Sequence, residues 1–301
     1  MNDELMAILE ADLPGQDDAG KLAEVLYSRC YMHSILDPPA VAVEEAANRD
    51  LTSILAAANT GREAWDAGWR IDQVLDAGRV LARKGGAARS FLPGEYLTQR
   101  GLGVGPEAGK PLRIFLPAGS ADTQPGFYHA FGDTCGEFDT GDQLLRFYWN
   151  VSAEGAPRLV ETVTREFNRF QVAFQFKCGS WAAHYPRRDA AVLYLHRRHY
   201  PIAALLAERV LSAVRPWLSA GTPLFARHLA GGLGFAEDPG DSFGKHRCQI
   251  LASAMTATRG KPAEERLDEV RRQFDERGLT LDRPWLNSRS ADRYEFPFPA
   301  V

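Results

Sequence analysis

A repeating order of short apolar segments and amphipathic segments between residues 144 and 214 limits the fold of this chain most strongly. The stretches LLRFYWNV, VAFQFKC and DAAVLYLHRR are rich in aromatic and branched side chains, which indicates strands. PRLVETVTREFNRF and PIAALLAERVLSAV repeat apolar residues at intervals of three and four, which indicates helices with one buried face. We therefore expect this part of the chain to form a sheet with helices packed on it.

The residues on either side of this region show two different patterns. Amphipathic helices are predicted at residues 19–36 and 43–61, and two more, KHRCQILASAM and AEERLDEVRRQFDERG, follow near the other end. From residue 69, glycine-containing turns separate short apolar runs, which is typical of β-hairpins, and GKPLRIFLPAG and GFYHAFG add two strands. We predict an α+β protein with a helical N-terminal region, residues 1–65, and a mixed, largely antiparallel sheet with packed helices, residues 66–301.

Charge and cysteine content narrow the classes of function. The chain has 301 residues, 45% of them hydrophobic, which is enough for a large core, and its formal net charge is −4. This charge gives no overall basic field for nucleic acid or an anionic membrane, so anion binding must come from a local cluster of cations. The four cysteines are scattered, no apolar run is long enough to span a bilayer, and the acidic N-terminus lacks the layout of a signal peptide. We therefore expect a cytoplasmic protein with reduced thiols.

Several standard catalytic signatures are missing from the sequence. It contains no Walker A sequence, no dinucleotide-binding glycine pattern followed by a strand and a helix, no HExxH and no Cys-x-x-Cys pair. AGGLGFAEDPGDSFG is predicted to be a loop and not the strand–turn–helix of a nucleophile elbow. Histidine, lysine and arginine remain as the chemically useful residues, and neither a metal nor an organic cofactor is expected.

Several cations lie beside segments that are expected to be buried. Alternation in LLRFYWNV places Arg146 and Tyr148 opposite its apolar face, and the same argument turns Lys177 away from Phe174 and Phe176. A guanidinium at such a position is costly unless it has a partner. Further cations precede the strand DAAVLYLHRR, lie in a tight hairpin, or begin a helix: Arg187 and Arg188, Lys84, and Arg247.

Two interpretations of these residues remain open at this point. Each cation could pair with one of the 39 acidic residues, and His129, in the stretch QPGFYHAFGD, could simply pack among aromatic side chains. The grouping of several cations beside buried strands favours the other interpretation. It predicts a pocket for a doubly charged anion such as a phosphate monoester.

Seven segments in this order resemble the HopA-type effector family: GWRIDQVLDAGRVLARKGG, PGEYL, QPGFYHAFGD, RFYWNV, FQFKC, YPRRDAAVLYL and GLGFAEDPGDSFGKHRC. The resemblance extends from about Trp69 to about Met255. That family includes type III secreted effectors and also bacterial proteins found with peptide-modifying enzymes, which act as lyases in making class V lanthipeptides and thioamitides. It further implies a relation to phosphothreonine lyases, which remove phosphate from phosphothreonine by β-elimination.

The resemblance also implies roles for individual residues of this chain. Lys177 would be the base that takes the α-proton, and His129 would be the acid that protonates the departing phosphate. The phosphate-binding residues would be Arg146, Arg187, Arg247 and Lys84, with Tyr148 and Arg188 in support. This chemistry requires no metal or organic cofactor.

Three functions fit this sequence. The preferred one is a lyase that converts phosphoserine or phosphothreonine in a ribosomal precursor peptide, after a Ser/Thr peptide kinase and with the possible help of a leader-binding protein. A non-catalytic phosphopeptide-binding or complex-assembly module is second, since the presence of His129, Lys177 and the arginines favours catalysis. A type III effector acting on host phosphoproteins is third, because residues 1–61 are predicted to be helical and not a disordered secretion segment.

Overall fold

Two antiparallel sheets and the helices packed on them make up the computed structural model, which describes residues 2–37, 48–98, 105–136, 138 and 143–297. The predicted α+β fold is confirmed. The helices are α1 (Asn2–Glu10), α2 (Ala19–Leu26), α3 (Thr52–Ala58), α4 (Ala156–Arg169), α5 (Tyr200–Val214), α6 (Phe243–Ala257) and α7 (Ala263–Glu276).

The two predicted N-terminal helices are shorter than the sequence pattern indicated. The first ends as α2 and continues as a π-helical turn, Tyr27–Tyr31. The second is α3, and residues 43–47 of its predicted range lie outside the described residues. Among the described residues, no helix combines the length and the apolar character that a membrane span requires.

The smaller sheet contains the predicted hairpins, and its strands follow the order β3–β2–β1–β5–β4. Its strands are β1 (Ala64–Val74), β2 (Val80–Lys84), β3 (Ala87–Phe91), β4 (Tyr96–Thr98) and β5 (Pro111–Leu116). Trp69 and Ile71 on β1 pack with Val80, Leu112 and Ile114 in a core of its own. This sheet therefore has its own apolar cluster, separate from the two clusters of the larger sheet.

The larger sheet holds the segments that alternate in the second half of the sequence, in the order β11–β12–β8–β10–β9–β7–β6. Its strands are β6 (Gly119–Ser120), β7 (Phe127–Phe131), β8 (Leu144–Trp149), β9 (Gln175–Gly179), β10 (Ala191–His196), β11 (Arg227–Ala230) and β12 (Leu233–Glu237). The strand β10 lies near the centre, between β8 and β9.

Both faces of the larger sheet are covered, which agrees with the predicted alternation. Leu145, Phe147 and Trp149 of β8 join the cluster formed with α3, α4 and α5. Tyr148 of β8 and Val192 of β10 join the opposite cluster, formed with α1, α2, α6 and α7. Helices α1 and α2 therefore pack against α6 and α7 over one face of the sheet, and α3 lies on the other face. The predicted boundary after residue 65 stays a prediction.

Two local predictions are corrected by the structure. Phe170 is the last apolar residue of the repeat in PRLVETVTREFNRF, which predicts that it is buried, but it is 41% exposed because α4 ends at Arg169 and the chain turns away. Residues 233–237, which were predicted to be part of a loop, form β12. This strand is buried along its whole length and pairs with β8. Its glycine and alanine residues have low strand propensity, so the extended conformation is stabilised by pairing with β8.

Candidate functional site

A row of side chains crosses the larger sheet on the face that carries α2 and α6. Tyr148, Val192, Lys177 and His129 lie in register on β8, β10, β9 and β7. Neighbouring strands are about 4.8 Å apart, so each of these residues adjoins the next. Sheet pairing therefore places the predicted base and the predicted acid side by side.

A second row lies one pleat further along the same face. Arg146, Tyr194, Gln175 and Phe131 are in register on the same four strands. The Arg146 guanidinium carbon lies 5.1 Å from the centre of the Tyr194 ring, close enough for a cation–π contact. The floor of the site is formed by Tyr148, Val192 and Lys177 of the first row and by Arg146 and Tyr194 of the second.

A cavity of about 380 Å³ lies above this floor and is called the anion cavity below. It lies between the sheet, the π-helical turn after α2 and the first turn of α6. Among the described lining residues are four cations and one carboxylate, so the cavity is positive. The lining residues are Tyr27, Tyr31, Gln124, Phe127, Arg146, Tyr148, Lys177, Arg187, Asp189, Val192, Tyr194, Ser242 and Lys245.

Lys177 lies in the centre of this lining. Its Nζ donates a hydrogen bond to Oε1 of Gln124 at 3.0 Å and lies 4.7 Å from the centre of the Phe127 ring. Burial and, after it, the positive charge of Arg146 lower the pKa of Lys177 to about 8, and the carboxylate of Asp189 opposes part of this shift. A lysine with this pKa is partly neutral near physiological pH and can act as a base.

Arg146 is held in place from the side away from the cavity. Its Nε donates to Oδ2 of Asp238 at 2.8 Å, and its Nη2 donates to the backbone oxygen of Asp241 at 2.7 Å. The side chain is 12% exposed, and that of Asp238 is 7% exposed. The guanidinium is therefore fixed before any ligand binds, which reduces the entropy that binding would cost.

Arg187 is anchored in a similar way. Its Nε and Nη2 donate to the two carboxylate oxygens of Asp189 at 2.8 and 2.9 Å, and its guanidinium carbon lies 5.8 Å from the Phe127 ring centre. Two parallel bonds of this kind fix both the position and the plane of the guanidinium. Asp189 thus orients Arg187 and also offsets part of the positive charge of the cavity.

Two tyrosines, Tyr27 and Tyr31, close the cavity on the side of α2, and a third, Tyr148, lies on its floor. Tyr27 and Tyr31 stack with ring centres 5.3 Å apart, and a Cβ on Gly244 of α6 would lie 2.5 Å from the Tyr31 ring, so only glycine allows this approach. The buried hydroxyl of Tyr148 lies near Tyr31 and Arg146 but makes no well-aligned hydrogen bond with a described residue. Burial raises the pKa of all three tyrosines, so their hydroxyl groups stay protonated.

The first turn of α6 contributes the polar end of a helix to the cavity. Ser242 is the N-cap, and its Oγ accepts a hydrogen bond from the backbone N–H of Lys245. The residues GDSFG, 240–244, have the spacing of a nucleophile elbow, but Ser242 has the ordinary φ of −59° and is occupied as a cap. This turn therefore adds partial positive charge to an anion site, and it is not a nucleophile elbow.

His129 adjoins Lys177 but is not part of the cavity lining. Its Nε2 is buried without a hydrogen-bond partner among the described residues, and its ring centre lies 6.2 Å from that of Phe131. Burial, followed by the positive charge of Lys177, lowers the pKa of His129 to about 4. The imidazole is therefore neutral near pH 7 in the free protein, so its predicted role as an acid requires a ligand that raises this pKa.

Three predicted phosphate-binding or supporting residues lie outside the anion cavity. Arg247 is fully buried, and its guanidinium donates to the backbone oxygens of Pro284 and Leu286. Lys84, on the smaller sheet, bonds both carboxylate oxygens of Asp66 at 2.7 and 2.8 Å.

Arg188, the third of these residues, lies next to Arg187 in sequence but points elsewhere. Its Nη1 donates to both carboxylate oxygens of Glu4 and to the backbone oxygen of Thr222. The structure thus brings together Lys177, Arg146, Arg187 and Tyr148, with His129 alongside. It does not bring Arg247, Lys84 or Arg188 to this group.

Sequence reasoning gave no role in the site to several residues that line the cavity. Tyr27 and Tyr31 are far in sequence from the other lining residues, and no local sequence pattern indicates that they belong to the site. Gln124 and Tyr194 could have been found from their neighbours, since Gln124 begins the stretch that contains His129 and Tyr194 shares the alternation of β10 with Val192. Within the described residues, no group of three or more His, Cys, Asp or Glu side chains is arranged to hold a metal ion.

Both the sequence and the two-sheet α+β architecture match a family of bacterial effector proteins. The chain belongs to the HopA1 effector protein family, whose family model matches residues 118–286. This range includes all of the cavity lining except Tyr27 and Tyr31. The resemblance to the HopA-type effector family that the sequence indicated is therefore confirmed for the family as a whole.

Two solved structures share the fold. The effector protein from Pseudomonas syringae pv. tomato strain DC3000 is 17% identical over 95% of both chains, with a TM-score of 0.54. The effector protein from Pseudomonas syringae pv. syringae strain 61 is 15% identical over 96% of this chain and 99% of that one, with a TM-score of 0.53. At these identities the likeness concerns the fold alone. A search of curated proteins found no match to this chain.

Proposed function

We propose that the protein removes phosphate from phosphothreonine or phosphoserine in a peptide by β-elimination, which leaves dehydrobutyrine or dehydroalanine. The observation that carries this proposal is the position of Lys177, whose pKa is lowered, inside a cavity that also contains Arg146 and Arg187. A site that only bound phosphate would gain most from a fully protonated lysine. A base that removes a proton has to be neutral.

The fixed arginines suit a phosphate dianion. Both guanidinium groups are anchored by carboxylates on one side, and each retains N–H groups beyond those used in these bonds. The first turn of α6, with Ser242 at its N-cap, adds the partial positive charge of a helix end. These features support the binding of a doubly charged group in a defined orientation.

The proposed step balances without water or a redox partner. The neutral Nζ of Lys177 takes the proton from Cα, the electrons of that C–H bond form the Cα=Cβ double bond, and the Cβ–O bond breaks. Phosphate leaves with the electron pair of the Cβ–O bond and receives a proton. The negative charge that develops next to the peptide carbonyl is stabilised by the cations around it.

His129 is the proposed donor of the proton to the leaving phosphate. It adjoins Lys177 on the sheet, and its Nε2 has no other partner among the described residues. A phosphate dianion in the neighbouring cavity would favour the charged imidazolium and raise its pKa. The acid would thus be charged only when substrate is bound.

The resemblance to lyases of class V lanthipeptide and thioamitide biosynthesis supports a ribosomal precursor peptide as the substrate. A Ser/Thr peptide kinase would act first, and a leader-binding protein could present the precursor. Membership of the HopA1 effector protein family, together with the fold of two effector proteins, favours a second candidate with the same chemistry: an effector that acts on host phosphoproteins.

A non-catalytic phosphopeptide-binding module is the alternative of a different class. The neutral, buried state of His129 favours it, because a module that only binds phosphate needs no acid. This alternative does not account for the lowered pKa of Lys177, because a phosphate-binding lysine would be fully protonated. We therefore rank it below the lyase.

The mass of the product separates these functions. A synthetic phosphothreonine peptide is incubated with the protein and analysed by mass spectrometry and a phosphate assay. A lyase releases phosphate and yields a peptide one water lighter than its unphosphorylated form. A product equal in mass to the unphosphorylated peptide would indicate hydrolysis, and a substrate that is bound but unchanged would indicate the binding module. Either of these two results would overturn the proposal.

A further inference from the structure

A second cavity, of about 520 Å³, lies between the two sheets and is called the aromatic cavity below. β3 and β5 of the smaller sheet form one side, and β7 and β9 of the larger sheet form the other. Five phenylalanines line it: Phe91, Phe115, Phe131, Phe138 and Phe174.

The lining of the aromatic cavity combines these aromatic rings with polar side chains and is close to neutral. Among the described residues, Arg89 and Glu95 are its charged members, and their charges cancel. Arg89 also bonds the backbone oxygen of Gly136, which ties the smaller sheet to the chain that follows β7. Phe115 and Phe131 remain partly exposed, so covering them with an apolar group would be favourable.

The aromatic cavity and the anion cavity share the floor of the larger sheet. The row of Arg146, Tyr194, Gln175 and Phe131 begins in the anion cavity and ends in the aromatic one. Along β9, Lys177 and Gln175 are two residues apart, which corresponds to roughly 7 Å. Side chains two residues apart in an extended peptide have the same spacing and the same direction.

His129 lies between the two cavities. It pairs with Lys177 across the sheet, and its ring adjoins that of Phe131 in the aromatic cavity. Its Nε2 is buried and has no partner among the described residues, and it is assigned above to the leaving phosphate. The residue that acts on the phosphate therefore adjoins both the base and the aromatic cavity.

We propose that the aromatic cavity binds a large apolar side chain of the same peptide whose phosphorylated residue enters the anion cavity. This inference rests on the proposed function and specifies its substrate class. The apolar residue lies two to four positions from the phosphorylated one, since one to two such steps along an extended chain separate the two cavities. Substrates with a phenylalanine or a leucine at that position are preferred over substrates with glycine there.

A set of phosphothreonine peptides in a glycine–serine background tests this preference. One phenylalanine is placed at each of the four positions on either side of the phosphothreonine, and kcat/KM is measured by phosphate release. At one position, two to four residues away, phenylalanine should raise kcat/KM by roughly tenfold over glycine. Phe115→Ala should abolish this gain without changing kcat/KM for the glycine–serine peptide. Phe170→Ala, an exposed phenylalanine on the end of α4, is the matched control and should retain the gain.

Cys135 provides a readout that does not depend on turnover. All four cysteines lie in the described part of the chain; Cys135 lines the aromatic cavity and is partly exposed, whereas the other three are buried. In the Lys177→Ala variant, the peptide with phenylalanine at the preferred position should slow alkylation of Cys135 by N-ethylmaleimide, and the glycine–serine peptide should not. If Phe115→Ala fails to fold, Cys135→Phe, which fills the cavity, should abolish the gain instead.

The outcomes separate this inference from the proposed function. Elimination at equal rates for every phenylalanine position, or a gain that survives Phe115→Ala or Cys135→Phe, would overturn the inference and leave the lyase intact. If no peptide is converted, the proposed lyase function is wrong, and the alkylation of Cys135 alone tests whether the aromatic cavity binds the apolar side chain. Equal protection by the phenylalanine and glycine–serine peptides, or no protection by either, would then overturn the inference as well.

Discussion

Lys177 differs from the arginines of the anion cavity because it can lose its proton near physiological pH. Burial removes the ammonium group from water, and Arg146 repels it, so both effects lower the pKa to about 8. In roughly one tenth of the protein molecules the Lys177 amine is then neutral at pH 7, compared with less than a thousandth for a lysine in water. This difference makes Lys177 suited to the role of base in the proposed reaction.

The pH dependence of the reaction should follow the neutral fraction of Lys177 once the acid is removed. In the wild-type protein His129 has to gain a proton while Lys177 has to lose one, so kcat/KM for a phosphothreonine peptide should change little between the pKa values of about 4 and about 8. In His129→Asn only Lys177 titrates, so kcat/KM should rise about tenfold per pH unit below about 8 and level off above it. Phosphate release is measured from about pH 7 upward, where the substrate is already a dianion. A rate of His129→Asn that falls with pH over this range, or that is already constant at pH 7, would contradict the role of Lys177.

His129 should change its charge when the site is occupied. In the free protein, its Cε1–H resonance should titrate with a midpoint of about 4, because burial and Lys177 disfavour the imidazolium. A phosphonate analogue of the phosphothreonine peptide, which cannot eliminate, should raise this midpoint, since it brings negative charge close to the ring. The resonance of His199, at the start of α5, serves as the control and should not move. If the titration midpoint of His129 is unchanged when the site is saturated with the phosphonate peptide, His129 is not the acid.

At the scale of elements, the segment before β10 places two adjacent arginines in different surroundings. Arg187 is paired with Asp189 in the anion cavity, whereas Arg188 is paired with Glu4 outside it. Their side chains are similarly covered, at 19% and 15% exposure. They therefore form a matched pair for testing which positive charge binds phosphate.

Arg187→Gln should weaken binding of the phosphonate peptide by tenfold or more, because a charge-assisted contact contributes roughly 1.5–3 kcal/mol. Arg188→Gln should leave this affinity unchanged, although it breaks the ion pair with Glu4 and lowers stability. Calorimetry with the phosphonate peptide and its unphosphorylated counterpart measures the difference, and circular dichroism checks the fold. Equal losses of affinity in the two variants would show that Arg187 has no special part in anion binding.

Most of the elements could be predicted, because the helices of residues 144–214 bury one face each and the strands between them are rich in aromatic and branched residues. β12 could not be predicted, since its glycine and alanine residues have low strand propensity and its order comes from pairing with β8. Arg247 shows that residues of the site, too, cannot be assigned from local sequence alone. Its position at the start of a helix indicated an anion, but carbonyl groups of residues 284–286 bind it, and their position depends on the tertiary fold.

At the scale of the whole molecule, the anion cavity joins parts of the chain that are far apart in sequence. The π-helical turn after α2 provides Tyr27 and Tyr31, and the larger sheet provides Arg146 and Lys177. The segment before β10 provides Arg187, and α6 closes the cavity with Ser242 and Lys245. Strand alternation could predict that Lys177 and Arg146 face the same way, but no local pattern could predict that the N-terminal helices cover them. The site therefore depends on the packing of both ends of the chain over one face of the sheet.

A phosphothreonine peptide with deuterium at Cα tests the central claim most directly. Lys177 removes that atom in the proposed step, so wild-type protein should release phosphate and yield dehydrobutyrine without deuterium. Lys177→Ala should release no phosphate, whereas Lys84→Ala, which removes a lysine paired with Asp66 outside the cavity, should act like the wild type. A product that is threonine with its deuterium retained, or conversion by Lys177→Ala at the wild-type rate, would contradict the account.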